Sequence, residues 1–181
     1  GINSDLTARA DPLTPGTSNP GTVVMSPGGV GRNIAETLAR LEVPVTLLGA
    51  AAGDISGELA LSRTREAGVD VTRVVRGSAG ERGIYLAIHG GDGELLLGVS
   101  DMGVLELCDR EYVEAHRRII GEARFLVLDA NVPPDGAALA VAIAAAAGVP
   151  VILEPVSVAK ARRVGELRGS VYAATPNREE A

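Results

Sequence analysis

Apolar residues along this chain fall into short continuous runs, separated by turns rich in Gly, Pro and Asp, with stretches of helical spacing between them. From Asn33 onward, Ile34, Ala35, Leu38 and Leu41 mark a helix. It is entered directly from Ser-Pro-Gly-Gly-Val-Gly-Arg-Asn at 26–33, whose three glycines and one proline cannot form a stable helix interior. Before it, 11–21 reads as loop and 22–25 as a short strand. After it, strands are predicted over 45–50 and 69–75, with a helix over 58–67 ended by Gly68. The β-prone runs 83–88 and 94–99, joined by His-Gly-Gly-Asp-Gly, form a hairpin with Ile84, Leu86 and Ile88 on one face. With 6–10 and 22–25 this hairpin makes a small second sheet. Asp109 caps a helix running to Gly121, and 125–128 is a buried strand. Pro134 opens an alanine-rich helix, 149–153 and 171–174 are further strands, and a short helix carries Lys160. The alternation from Val45 onward implies an α/β protein with a mostly parallel central sheet, right-handed crossovers and helices on both faces.

Composition narrows the class. A chain of 181 residues, 46% hydrophobic and of positive mean hydropathy, can bury a sizeable core. A net charge of -6 and a pI near 5.0 disfavour nucleic acid and anionic membrane as partners. The longest apolar stretch is broken by Gly148 and Pro150 and reads as a helix followed by a strand, too short for a membrane span. A single cysteine, Cys108, excludes an internal disulfide; with no charged-apolar-small leader opening the chain, the expected location is cytoplasmic. Aromatics at 2% and no Trp leave few side chains for stacking on a base.

The candidate chemistry starts at the glycine turn. The N-terminus of a helix offers unpaired N–H groups and a positive dipole end, and Gly28, Gly29 and Gly31 let an oxygen-rich ligand approach without a Cβ in the way. Asn33 adds an amide that can donate and accept. Neither Gly-x-x-x-x-Gly-Lys-Ser/Thr nor Gly-x-Gly-x-x-Gly fits. Asp129 and Asn131 lie just past a buried strand, as does Glu154 past the next, where α/β sheets place ligands. Asp54 reads as the cap of the helix that follows it. Asp101 is open to a capping role or a ligand role, and His89 reads as structural. Lys160, Arg162 and Arg163 read as a solvated basic face, and Cys108 as a buried thiol rather than a nucleophile.

Five ordered stretches resemble the ribokinase-like (PfkB) sugar and nucleoside kinases, in the wording of the pseudouridine kinase branch. They are Gly-x-x-x-Asp at 1–5, the glycine turn at 26–33, Ser-Asp-Met at 100–102, Glu-Pro-Val-Ser-Val-Ala-Lys-Ala at 154–161 and Asn-x-x-Glu at 177–180. The resemblance implies a single partial ribokinase-like domain, with a β-sheet lid at about 5–26 and 83–100 and a core at about 27–82 and 101–181. It implies ATP-dependent phosphorylation of the 5′-hydroxyl of pseudouridine, assisted by Mg²⁺. The alternatives are a ribokinase-like sugar kinase and a non-catalytic chain that binds a nucleoside or a partner subunit. The implied substrate-binding residues are Asp5, Gly28, Gly29, Asn33, Asp101, Met102, Asn131 and Glu154. Asn177 and Glu180 are the implied magnesium and phosphate residues. In such kinases the catalytic base and anion hole belong to a Gly-Ala-Gly-Asp stretch, expected past Ala181, and a first core strand is expected before Gly1. The chain is thus expected to be truncated at both ends and inactive alone, and its full-length form to pair as a homodimer through the lid.

Overall fold

The computed structural model describes residues 1–78, 80–165, 167 and 171–181, which divide into two compact units. The first, Ile2–Val104, contains a four-stranded sheet of order β2-β1-β5-β6, built from β1 (Asn3–Ala10), β2 (Gly21–Gly28), β5 (Ile84–His89) and β6 (Leu95–Asp101). The pair β1/β2 is antiparallel, β1/β5 parallel and β5/β6 antiparallel. The expected second sheet is therefore present, with β1, β2 and β6 longer than predicted. Register places Met25, Leu6, Leu86 and Val99 in one cross-strand row, and Val23, Ala8, Ile88 and Leu97 in another. Side chains alternate along a strand, so these rows share one face while Asp5 and Tyr85 point to the other. Ile84, Leu86 and Ile88 are half-buried; the exposed apolar side chains come from the outer strands, Val23 at 70%, Leu97 at 54% and Val99 at 50%.

The rest of this unit packs α1 (Val30–Arg40) and α2 (Ile55–Glu66) around a core of Ile2, Ala35, Leu47, Ala51, Ala60, Leu61, Val69 and Val71. Helix α1 starts three residues before the apolar spacing does, because Gly29 serves as its N-cap. Its buried positions are Arg32 and Ala35, whereas Leu41 lies past its end and is 69% exposed. Helix α2 starts at Ile55 rather than 58 because the Asp54 carboxylate accepts from Gly57 N at 3.0 Å and Ser56 Oγ at 2.6 Å. Capping is therefore what Asp54 does.

The predicted strands 45–50 and 69–75 are corrected. Only β3 (Ala50–Ala51) and β4 (Val75–Arg76) are regular, with an isolated parallel bridge between Thr46 and Asp70. The two segments do run side by side, through Leu47 N to Asp70 O at 2.9 Å and Val75 N to Gly49 O at 2.9 Å. Between those bonds the Asp70 carboxylate accepts from Thr72 N and Val74 N donates to Val71 O, closing a turn that interrupts the ladder.

The second unit comprises Gly1 and Leu105–Ala181. Its sheet is parallel, of order β7-β8-β9, with β7 (Leu126–Asp129), β8 (Val151–Glu154) and β9 (Ala173–Ala174). Phe125, read as part of the buried run, stands outside β7 and is 47% exposed. Helix α5 (Pro134–Ala147) has Pro134 in its first turn and ends on Gly148 at φ 71, the left-handed conformation that glycine adopts without strain. The single helix predicted over 109–121 is instead two, α3 (Arg110–Ala115) and α4 (Arg117–Gly121). The break sits at His116, whose Nδ1 bonds Tyr112 O at 2.8 Å, while its own backbone N–H turns to Val113 O. Asp109 still caps the first of them, accepting from Tyr112 N at 2.8 Å. A short helix, α6 (Val158–Arg163), follows β8. Among the described residues no helix is long and apolar enough to cross a membrane.

Candidate sugar and phosphate sites

In the first unit the glycine turn and β1 bring Asp5, Gly28, Gly29 and Asn33 together. Antiparallel pairing puts Asp5 opposite Ser26 and Asn3 opposite Gly28. A Cβ on Gly28 would lie 2.4 Å from Cγ and both oxygens of Asp5, so the carboxylate rests against bare backbone. Asn3 Nδ2 donates to Asp5 Oδ1 at 2.5 Å. Half-burial pushes the Asp5 carboxyl above its ordinary value, opposed by the Asn3 amide and the Arg32 charge. Gly29 is at φ 107, a conformation L side chains rarely adopt, and its carbonyl accepts Asn33 N at 2.8 Å. The result is a carboxylate and an exposed amide on either side of a helix start.

The Gly28 contact makes a test. Gly28→Ala must displace the Asp5 carboxylate, and ligand affinity in the full-length protein is expected to fall by about 1 kcal/mol or more. An unchanged ligand affinity would separate Asp5 from the site.

Sequence reasoning passed over Arg32, and its burial, with 5% exposed, is the signal it lacked. Its Nε and Nη2 both donate to Asn33 Oδ1, at 3.2 and 2.8 Å. Asp101 and Met102 stand elsewhere on the sheet. Asp101 ends β6 opposite Ile84, one position out of step with the Asp5–Tyr85–Ser100 row, and so on the alternate face; Met102 follows it, half-buried. His89, at the hairpin, bonds Gly93 O through Nδ1 at 3.0 Å, a structural role.

In the second unit a different cluster forms at the C-terminal ends of β7 and β8, where Asp129 and Glu154 are register partners. Buried Asp129 accepts from Asn131 N at 2.8 Å through Oδ1 and from the Gly1 nitrogen at 2.6 Å through Oδ2. Glu154 accepts from Val156 N at 3.1 Å and from Thr175 Oγ1 at 2.5 Å. Val156 is at φ 68, strained for a β-branched residue, and Ser157 N donates back to Pro155 O at 2.8 Å, closing a three-residue turn. That turn aims α6 so that Lys160 Nζ donates to Asn131 Oδ1, while Arg163 Nη2 donates to Ala130 O at 3.1 Å. The expected solvated basic face is corrected at Lys160, which is half-buried and engaged at the strand ends, while Arg162 and Arg163 are exposed. Burial of Lys160 lowers the ammonium's pKa, opposed by the Asp129 charge and reinforced by Arg163. Cys108 is buried and its thiol pushed up to about 11, chiefly by that burial, which removes it as a nucleophile.

Asn177 and Glu180 bond one another. Asn177 Nδ2 donates to Glu180 Oε1 at 2.9 Å, Asn177 N to Oε2 at 3.1 Å, and Asn177 Oδ1 accepts from Glu180 N at 3.0 Å. This reciprocal arrangement has the form of a capping box. Among the described residues no group of three or more His, Cys, Asp or Glu is placed to hold a metal. One carboxylate still suits magnesium, which keeps several waters and shares its coordination with substrate phosphates.

A family model described as pfkB family carbohydrate kinase matches residues 2–181 of this sequence, and the chain belongs to that family. It is 36% identical over 164 residues to the pseudouridine kinase of Escherichia coli (strain K12), covering 91% of this chain and 52% of that protein. Among solved structures, a carbohydrate kinase from Agrobacterium tumefaciens superposes with a TM-score of 0.90 at 31% identity, covering 99% of this chain and 59% of that one. The Arabidopsis thaliana ribokinase complexed with ribose and ATP superposes at 0.85 and 23% identity, covering 99% and 58%, and shows the fold alone. The fold is thus ribokinase-like α/β. The chain spans about half the length of the curated relatives it matches.

Proposed function

We propose that the protein of which this chain is part transfers the γ-phosphate of ATP to the 5′-hydroxyl of a ribosyl nucleoside, with pseudouridine as the substrate. The observation that carries this reading is the Asp5 carboxylate resting on Gly28 beside the Gly29 helix start and the Asn33 amide. A charged acceptor and an amide donor on either side of a helix start suit sugar hydroxyls. Pseudouridine rather than ribose is favoured by the Ser-Asp-Met and Glu-Pro-Val-Ser-Val-Ala-Lys-Ala wording and by the Escherichia coli relative. Met102, Asn131 and Glu154 are proposed as further substrate contacts. Magnesium neutralises phosphate charge in this chemistry; Asn177 and Glu180 would hold it, through water and the nucleotide. The organisation proposed is one ribokinase-like domain with the lid and core boundaries given above, acting in the cytoplasm. ADP release by the full-length protein with pseudouridine, uridine or ribose tests the assignment, and a preference for ribose would make it a ribokinase-like sugar kinase.

We further propose a homodimer through the lid. The face carrying Val23, Met25, Leu97 and Val99 is apolar and open, and such sheet faces tend to be covered by a second copy. Sedimentation of the full-length protein at micromolar concentration is expected to give a dimer, converted to monomer by Leu97→Glu. A monomer in both cases would refute the pairing.

A further inference from the structure

We infer that Arg32 is the positioning residue of the sugar site, fixing Asn33 as a hydrogen-bond donor toward the ligand so that Asp5 is left as the acceptor. The inference rests on the sugar-site reading above. It begins from an anomaly of burial: a guanidinium one residue before the ligand amide is 5% exposed on a helix whose only other buried residue is Ala35. Charged side chains are seldom buried unless every part of them is engaged.

Each nitrogen of Arg32 has a defined task. Nη1 donates to Thr64 Oγ1 at 3.3 Å, and that hydroxyl, 0% exposed, itself donates to Ala60 O at 2.7 Å on α2. Nη2 lies 2.6 Å from Glu36 Oε2, one turn along α1. Nε and Nη2 then converge on a single atom, Asn33 Oδ1. A planar guanidinium anchored at two other points cannot rotate away from that oxygen, and an amide whose oxygen is doubly engaged has its NH₂ end left for a ligand. The Arg32 charge also acts on the Asp5 carboxylate, so one buried cation bears on both sugar-facing groups. Without it the Asn33 amide can flip, and the site loses the distinction between its donor and its acceptor.

The consequence is a rule for recognition: a ligand hydroxyl that gives its proton to Asp5 accepts from the Asn33 amide through its oxygen. Asn33→Asp tests it with a sign that a scaffold role for Arg32 does not share. The new carboxylate still pairs with Arg32, so the melting temperature is held or raised. A hydroxyl already giving its proton to Asp5 has none for a second carboxylate, so affinity for pseudouridine falls by about tenfold or more. Arg32→Met gives the second measurement, in the full-length protein with pseudouridine and its 2′-deoxy and 3′-deoxy analogues. The parent is expected to discriminate against a deoxy analogue through KM, and the variant to lose that discrimination while binding the deoxy analogue as the parent does. Affinity in Asn33→Asp equal to or above the parent's would overturn the inference, and it decides the matter even if Arg32→Met does not fold. Unchanged discrimination in a folded Arg32→Met would overturn it too. A parent that binds no ribosyl ligand at all would bring down the sugar-site reading itself, an outcome separate from either.

Discussion

Replacing Asp5 with Ala in the full-length protein is expected to lower kcat/KM for the nucleoside by about 2 kcal/mol or more, a factor of roughly 30. The loss is large because the carboxylate is held rather than mobile. Asn3 grips one oxygen at 2.5 Å, and the bare backbone of Gly28 fills the space behind it. A ligand hydroxyl meeting this group finds an acceptor already stripped of part of its water, so the ordering cost is met before binding. The pH dependence has a definite sign. The ionised form accepts the ligand's hydroxyls, and burial raises the Asp5 pKa in the free protein. Affinity is therefore full above that pKa and lost as pH falls through it, at a higher pH than an ordinary aspartate would give. Asp5→Asn should remove this acid limb, and an identical KM profile in parent and variant would show that Asp5 does not meet the substrate.

The 181-residue chain assayed by itself is expected to release no ADP above background with pseudouridine, ATP and Mg²⁺. The resemblance assigns the base and the anion hole to a Gly-Ala-Gly-Asp stretch, and no such tetrapeptide occurs in this sequence. The nearest wording, Ala-Gly-Asp at 52–54, is committed elsewhere, since the Asp54 carboxylate caps α2. General-base assistance gives about 10² to 10⁴ in rate and an anion hole about another 10² to 10³, so without both the rate falls to that of unassisted transfer. Ligand affinity is a separate matter, because Asp5, Gly28, Gly29 and Asn33 are all present and arranged. Turnover by this chain equal to that of a longer form would mean that the catalytic groups lie within residues 1–181.

What the sequence determined by itself was local and ordered. Apolar periodicity located α1, α5 and the β5/β6 hairpin, since each is encoded by neighbouring residues and closed by a turn whose chemistry is visible, such as Gly148 at the end of α5. The five motif stretches pointed to the family that the comparison then established over residues 2–181. Tertiary structure alone decided which of these residues act on one another. The grip of Arg32 on Asn33 depends on Thr64, 32 positions away on another helix, and no pattern within α1 announces that its buried positions include a cation. Asp5 and Gly28 meet only through strand pairing, and Lys160 turns inward only because the strained Val156 turn aims α6 at the β7 end. The interrupted pairing of 45–51 and the helix break at His116 have the same origin. There a side chain, Asp70 or His116, takes a backbone partner from the ladder or the helix, a competition settled by three-dimensional geometry and not by propensity.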